Sequence, residues 1–140
     1  MRIAHRTLIR ADPARVWAVT AEVERWPDWT PTMRSVRGLD GPLLAPGRRF
    51  SLRQPLQPEA VWQVTAFEPG RAFAWATGER RRLEASHRIE PAPGGCRSVV
   101  ELRARGAALA LAWPLLGPIL RLAVAAEARA LRRKCEARPA

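Results

Sequence analysis

The chain has 140 residues, enough for one domain with a single hydrophobic core and too few for two. Apolar residues make up 47% of it and charged residues 26%, which excludes a disordered protein and indicates a globular one. The 13 prolines argue against an all-helical bundle. We therefore expect one domain that spans residues 1–140.

The net charge is +11, and all basic residues except Lys134 are arginines. They are scattered along the chain and cluster only at Arg80–Arg82 and Arg132–Lys134. No zinc finger, helix-turn-helix pattern or RNA-binding aromatic motif accompanies them, so we expect no specific nucleic-acid partner. A weak contact with an anionic membrane surface remains open.

Cysteines and histidines are few. Cys96 and Cys135 lie far apart and form no CxxC pair, which indicates reduced thiols and a cytoplasmic protein. With only His5 and His87 besides, we expect no metal site and no cofactor. Residues 1–6 are charged and contain no apolar stretch, so we expect no secretory signal.

The N-terminal pattern predicts a strand and then helices. Residues 2–10 alternate, with Ile3, His5, Thr7 and Ile9 on one face. Asp12 and Pro13 are typical of a helix N-cap and first turn, and Pro27 ends this helical region.

From residue 32 the hydrophobic period changes to two, which predicts an antiparallel meander of short strands separated by Gly and Pro turns. One face of the later strands is apolar: Leu83, Ala85, His87 and Ile89 share it on one strand, and Val100, Leu102 and Ala104 on the next. The predicted strands are 33–39, 48–54, 59–67, 72–77, 81–90 and 97–105.

The last third predicts the helix that covers this apolar face. Residues 107–120 carry no charge, and we expect the final helix to begin near Trp113 and Pro114 and to continue to about residue 137. We expect no membrane span, because the uncharged run is shorter than about 20 residues and contains Pro114 and Pro118. An amphipathic helix that lies on a membrane is an alternative. The predicted buried stripe is Ile119, Leu122, Ala123 and Ala126, extended by Leu120, Val124, Leu131 and Cys135, and the predicted polar side is Arg121, Glu127, Arg129, Arg132 and Arg133.

Four segments carry a resemblance to a known family: ADPARVW at 11–17, ERWPDW at 24–29, VTAFEPGR at 64–71, and SHRIEP at 86–91 followed by Gly94 and Gly95. In this order they resemble the START-like, helix-grip (SRPBCC) superfamily, and within it the polyketide cyclase/dehydrase-like branch. The resemblance covers the whole chain. It implies an α+β helix-grip fold, in which a seven-stranded curved antiparallel sheet wraps around the long C-terminal helix, with two short helices after strand 1. It also implies a hydrophobic cavity between the sheet and that helix.

His87 is the most informative candidate residue, since it is the one polar side chain on an apolar strand face. It could orient a ligand or transfer a proton near neutral pH, or it could be a structural histidine. Aromatic and aliphatic residues on the same face could line a pocket, or could fill the interior as ordinary core. The candidate ligand-binding residues are His87, Trp62, Val64, Phe73, Trp75, Phe50, Leu52, Leu83, Leu102, Trp26, Trp113 and Ile119.

Trp26, Trp29 and Trp113 could form a lid over the cavity, or a staple that fixes the helices. The chain contains no catalytic triad spacing, no phosphate-binding loop and no tyrosine, so a catalytic role would fall to His87, helped by Thr65, Gln63 or a shifted Arg53.

Three functions stay open. The first is binding of a small hydrophobic ligand, such as a lipid, polyketide or aromatic metabolite, for transport, sequestration or sensing. The second is a polyketide cyclase or dehydratase that uses His87. The third is contact with a partner or a membrane surface through the basic C-terminal helix. Either a monomer or a homodimer fits the sequence.

Overall fold

The computed structural model describes residues 1–137. Strand β1 (Arg2–Ile9) leads into helix α1 (Pro13–Ala21), and a short 3-10 helix (Val23–Asp28) follows. Oδ1 of Asp12 accepts a hydrogen bond of 2.9 Å from the backbone N–H of Ala14, so the predicted N-cap is confirmed.

Six further strands follow: β2 (Ser35–Gly38), β3 (Arg49–Arg53), β4 (Ala60–Glu68), β5 (Ala72–Thr77), β6 (Leu83–Ala92) and β7 (Gly95–Ala104). With β1 they form one antiparallel sheet in the order β1-β7-β6-β5-β4-β3-β2. Every predicted strand is present with its ends shifted by two residues at most. A second 3-10 helix (Glu79–Arg81) separates β5 from β6.

The turn between β6 and β7 is shorter than the sequence predicted. Only Pro93 and Gly94 lie outside the two strands, and Pro91 stays in β6 opposite Cys96. The pairing of β5 with β6 ends at Arg88, so the missing N–H of Pro91 faces no neighbouring strand on that side.

Helix α2 (Ala107–Glu136) begins well before the predicted start near Trp113 and Pro114, and it continues through Pro114 and Pro118. A proline inside a helix removes one backbone hydrogen bond and crowds the preceding turn. Both prolines are exposed, so water can solvate the carbonyl groups that they leave unpaired.

The second half of α2 holds the helix on the domain. Leu131 and Cys135 pack in one buried cluster with Ile9, Val16 and Cys96. At the end of the helix, the guanidinium of Arg15 donates hydrogen bonds to the carbonyl oxygens of residues 134, 135 and 137. The helix therefore joins both β1 and α1.

The predicted buried stripe of α2 is wrong in part. Ile119 and Leu122 are exposed, whereas Leu131 and Cys135, which the sequence analysis placed beside that stripe, are buried. Both sets of residues are apolar at helical spacing, so hydrophobic periodicity alone did not separate the inner from the outer side of the helix.

Aromatic side chains form the centre of one of the two buried clusters. Trp26, Phe50, Phe73 and Trp75 are fully buried. Trp75 is in contact with each of the other three, with ring centroids 5.2 to 6.0 Å apart. A cavity remains beneath the middle of α2.

Candidate functional site

A partly open cavity of about 90 Å³ lies between the sheet and the middle of α2. It is bounded by strands β3 to β7 on one side, by α2 on another, and by the segment that connects the first 3-10 helix to β2. Its lining is mainly apolar, with a few polar side chains. The lining residues are Trp26, Thr32, Met33, Leu52, Gln54, Gln57, Trp62, Trp75, Leu83, Ala85, His87, Val100, Leu102, Leu120, Ala123, Val124 and Glu127.

The structure brings most of the predicted site residues together at this cavity. Seven of them line it: Trp26, Leu52, Trp62, Trp75, Leu83, His87 and Leu102. Phe50, Val64 and Phe73 are buried in the adjacent core. Their strand positions face inward as predicted, but they do not line the cavity.

Trp113 and Ile119 lie away from the cavity lining. Ile119 points to solvent, and the indole of Trp113 lies on Gly117, where an added Cβ would be 3.0 Å from its Nε1. Trp29 does not line the cavity either. Of the three tryptophans predicted as a lid or a staple, only Trp26 reaches the cavity, and its Nε1 donates to the carbonyl of Thr20.

His87 is buried in the cavity wall, with 5% of its surface exposed. It pairs with Phe73 on β5 and Val100 on β7. Its ring stacks on Phe73, with centroids 4.9 Å apart, and meets the ring of Trp26 edge-on at 5.1 Å. Burial in this aromatic setting lowers the pKa of His87 to about 4, so the imidazole is neutral at neutral pH.

Glu127 is the functional candidate that the sequence analysis missed. It lies on α2, and its side chain is only 16% exposed. Oε1 is 3.9 Å from Nδ1 of His87, and Oε2 accepts a long hydrogen bond of 3.5 Å from the hydroxyl of Thr32. Burial raises the pKa of Glu127 to about 7, an effect that the hydrogen bond from Thr32 partly offsets.

A helical spacing in the sequence contained the signal for Glu127. Leu120, Val124 and Leu131 recur with Glu127 at intervals of three and four residues, so the four share one side of the helix. Glu127 was instead predicted on the polar side of the helix, with Arg121, Arg129, Arg132 and Arg133. A carboxyl within an apolar stripe is better interpreted as a candidate site residue.

The cavity wall has an unusual charge distribution for a protein with a net charge of +11. No arginine or lysine lines it, and its ionisable side chains are His87 and Glu127. Near neutral pH it therefore presents a neutral imidazole beside a carboxyl group that is close to half protonated. Such a pair can accept a hydrogen bond at one group and donate one at the other.

Four further side chains with polar atoms, those of Trp62, Gln63, Thr65 and Arg53, were candidate cavity groups in the predicted site. Trp62 lines the cavity, and its buried Nε1 has no hydrogen-bond partner within residues 1–137. Gln63, Thr65 and Arg53, predicted as possible helpers of His87, do not line the cavity. Gln63 instead donates to the carbonyl of Gly47.

Two other kinds of site are weaker candidates than this cavity. A larger depression of about 400 Å³ lies between α1 and residues 42–44, but its polar side chains, Glu22, Glu24 and Arg25, are exposed. In the part of the chain that the structure describes, no three His, Cys, Asp or Glu side chains converge as a metal site would require. The cavity beneath α2 is the stronger candidate because it combines an apolar lining with buried ionisable groups.

Comparison with solved structures finds the same fold in proteins of low sequence identity. The hypothetical protein jhp0584 from Helicobacter pylori is 13% identical, with a TM-score of 0.80 over 97% of this chain and 88% of that one. The Aha1 dimer from Colwellia psychrerythraea is 14% identical, with a TM-score of 0.76 over 97% and 96%. The di-domain ARO/CYC StfQ from the steffimycin biosynthetic pathway is 11% identical, with a TM-score of 0.75 over 96% of this chain and 50% of that one.

At these identities the likeness establishes the fold alone. No curated protein matches the chain. The family model described as "Polyketide cyclase / dehydrase and lipid transport" matches residues 1–136. The helix-grip fold predicted from the sequence is therefore confirmed, and the chain belongs to the polyketide cyclase / dehydrase and lipid transport family.

Proposed function

We propose that the protein binds a small, uncharged and mainly apolar molecule in the cavity beneath α2. The observation that carries this proposal is the buried pair of His87 and Glu127, 3.9 Å apart in a mainly apolar wall. Buried polar groups normally have partners, and a ligand with one hydrogen-bonding group can supply them. Trp62, whose buried Nε1 has no partner within residues 1–137, lines the same wall.

The size of the cavity limits the part of a ligand that it can enclose. Its volume of about 90 Å³ is smaller than the ~150 Å³ of an engineered cavity that binds benzene. A ring or short alkyl chain therefore requires a modest outward shift of the wall. The movable side is the one formed by Leu120, Ala123 and Val124, because α2 is held to the domain mainly by its second half.

The charge of the wall selects against anions. A carboxylate ligand would find no arginine or lysine in the cavity and would lie near Glu127. An uncharged carbonyl or hydroxyl compound avoids this repulsion and can accept a hydrogen bond from the Glu127 carboxyl. Neutral lipids, ketones and phenols fit this requirement better than free fatty acids.

A thermal-shift screen tests the proposal. Matched pairs of compounds, each an alcohol or ketone and its carboxylic acid, would be added to the purified chain. We expect the uncharged member of a pair to raise the melting temperature, since a ligand that binds only the folded state stabilises it. A native mass spectrum should then show the same compound bound.

Two substitutions on α2 provide the control. Ala123→Leu adds bulk at the cavity wall, and Ala126→Leu adds the same bulk outside it. The shift from a hit compound should disappear in the first variant and persist in the second. Loss of the shift in both variants, or no shift from any compound class, would contradict the proposal.

A cyclase or dehydratase is the second candidate, and the opposite pKa shifts favour it. The neutral imidazole of His87 can take a proton from the carbon between two carbonyl groups. The carboxyl of Glu127 can donate one to the carbonyl oxygen that is attacked. The pair then has a base and an acid in one site.

The enzyme reading is tested with a short poly-β-ketone and the variants His87→Gln and Glu127→Gln. Both should lose product formation while still binding the substrate, as judged by its thermal shift. Unchanged turnover in either variant would exclude the acid–base role of that residue.

A further inference from the structure

Four large apolar side chains are exposed to solvent along the first half of α2. Leu111, Leu115, Ile119 and Leu122 are 86%, 81%, 61% and 70% exposed. They follow one another at three or four positions, so they form one line on the helix, which we name the outer stripe. An exposed apolar line of this length marks an interaction surface more often than ordinary protein surface.

The outer stripe is not part of the fold's own core. The buried residues of α2 are Gly117, Ala128, Ala130, Leu131 and Cys135, which lie mainly in its second half. By length and composition alone α2 could cross a membrane, with a mean hydropathy of 1.8 over 18 residues. Glu127 in the cavity wall and Leu131 in the core keep the second half of the helix in the domain.

Basic residues lie at both ends of the outer stripe. The backbone N–H of Arg105 donates to the carbonyl of Arg82 at 2.8 Å, which brings the cluster Arg80–Arg82 to the beginning of α2. At the other end, Arg129 and Arg133 follow Leu122 on the same side of the helix and are exposed. None of the ion pairs within residues 1–137 involves Arg80–Arg82, Arg129 or Arg133.

We propose that the outer stripe and its two arginine ends dock onto an anionic membrane surface, with α2 lying parallel to the bilayer. Apolar side chains of such a helix enter the boundary between headgroups and acyl chains, and arginines bind the anionic headgroups. Arg80–Arg82, the first basic cluster of the sequence, and Arg133 of the second thus serve the same surface.

The charges argue against a second copy as the occupant. Both ends of the outer stripe are basic, so a parallel or an antiparallel pairing of two α2 helices would bring arginine against arginine. Each copy also has a net charge of +11, which opposes association. An anionic bilayer neutralises both ends at once.

The docked position has a consequence for the cavity. Leu120 and Ala123 line the cavity from the same segment of α2 that carries the outer stripe. A helix with its side chains is about 10 Å across, so docking would hold the cavity within that distance of the membrane. The proposed docking of the outer stripe does not require that the cavity bind a ligand.

Vesicle flotation with the full chain tests the proposal. Vesicles of phosphatidylcholine alone would be compared with vesicles that also contain phosphatidylglycerol. We expect flotation with the anionic vesicles only, weaker at high salt because arginine–headgroup attraction is screened. The double variant Leu111→Gln with Leu115→Gln should lower the partition coefficient by about tenfold or more.

Matched controls distinguish binding through the outer stripe from non-specific adsorption to the vesicles. Leu43→Gln removes a leucine that is 70% exposed in the connection between β2 and β3, and it should not change flotation. Arg80→Gln with Arg81→Gln should weaken flotation, whereas Arg6→Gln with Arg37→Gln, at exposed strand positions, should weaken it much less. All these sites are exposed, so the melting temperature should stay close to that of the wild type.

Three results would overturn the proposal. The first is no flotation with either kind of vesicle. The second is flotation that the leucine variant leaves unchanged. The third is a wild-type dimer in light scattering that Leu111→Gln with Leu115→Gln converts to a monomer without affecting flotation, which would assign the outer stripe to a second copy.

Discussion

Nδ1 of His87 on β6 lies 3.9 Å from Oε1 of Glu127 on α2, yet burial favours the uncharged form of both groups. It lowers the pKa of His87 to about 4 and raises that of Glu127 to about 7. Between these values the folded protein holds a neutral imidazole beside a protonated carboxyl, not an ion pair. The stability of the protein and the chemistry of its cavity therefore depend on pH through the same two residues.

The two groups should have opposite effects on stability. From an ordinary pKa of 6.5 down to about 4, the unfolded chain binds a proton at His87 that the folded chain does not, so stability falls as pH falls. From 4.5 up to about 7, the folded chain retains a proton at Glu127 that the unfolded chain loses, so stability falls as pH rises. Between about 4.5 and 6.5 the two contributions cancel.

Single variants show the two pH dependences of stability that cancel in the wild type. Relative to wild type, the free energy of unfolding of Glu127→Gln should rise with pH by up to about 1.4 kcal/mol per unit in this range, because only the His87 contribution remains. That of His87→Gln should fall with pH by a similar amount. Urea denaturation at a series of pH values measures both, and parallel curves for the three proteins would contradict the shifted pKa values.

The affinity for an uncharged ligand should also depend on pH. If the protonated carboxyl of Glu127 donates to a ligand carbonyl, affinity falls as pH rises through about 7, by up to about tenfold per unit beyond it. Glu127→Gln keeps a donor that does not titrate, so its affinity should be nearly constant. Calorimetry with the best compound from the screen measures this, and an affinity that rises with pH would contradict donation by Glu127.

The sheet could be predicted because its sequence signals are local and consistent. In β6 and β7, alternate residues such as His87, Val100 and Leu102 are buried, as a period of two requires for a sheet with one covered face. Glycine and proline marked the turns. Only the hairpin at Pro93 and Gly94 proved shorter than predicted, because the extent of the neighbouring strand decides where a proline is tolerated.

The face of α2 could not be predicted from the same signals. Its first half is apolar on nearly every side, so the stripe that contains Ile119 and Leu122 looks as suitable for burial as the one that contains Leu120 and Leu131. Because the wrong stripe was predicted to be buried, Glu127 was also predicted on the polar, solvent-facing side of the helix. Periodicity measures how residues group on a helix, and tertiary contacts decide which group is covered.

The size of the cavity could not be predicted from the sequence for a different reason. Phe50 and Trp75 point into the interior as predicted, and Trp26, predicted as part of a lid or a staple, packs against Trp75, but the space that remains depends on how their rings interlock. The alternation of residues along strands carries no information about these ring geometries.

The hairpin between β6 and β7 provides a test of packing against β1. A Cβ added at Gly95 would lie 2.1 Å from the carbonyl oxygen of Ile9, so Gly95→Ala forces the backbone of β1 or of the hairpin to move. Gly94 has a φ of +81° and no atom within 4 Å of the same added Cβ. Gly94→Ala should cost only its backbone strain, about 1–2 kcal/mol, and Gly95→Ala clearly more. Thermal unfolding of the two variants measures the difference, and equal losses would show that β1 does not constrain this turn.

Two leucines of α2 test which of its sides belongs to the core. Leu131 is 4% exposed in a cluster with Ile9 and Val16, and Leu122 is 70% exposed on the outer stripe. Leu131→Ala should therefore lower the free energy of unfolding by about 2–5 kcal/mol through lost burial and the space left behind. Leu122→Ala should change it by about 0.5 kcal/mol or less, since that side chain has little contact to lose. Urea denaturation compares the same substitution on the same helix, so helix propensity cancels. A larger loss at Leu122 would mean that the stripe is covered in the folded chain, and α2 would then have no free surface to offer a membrane.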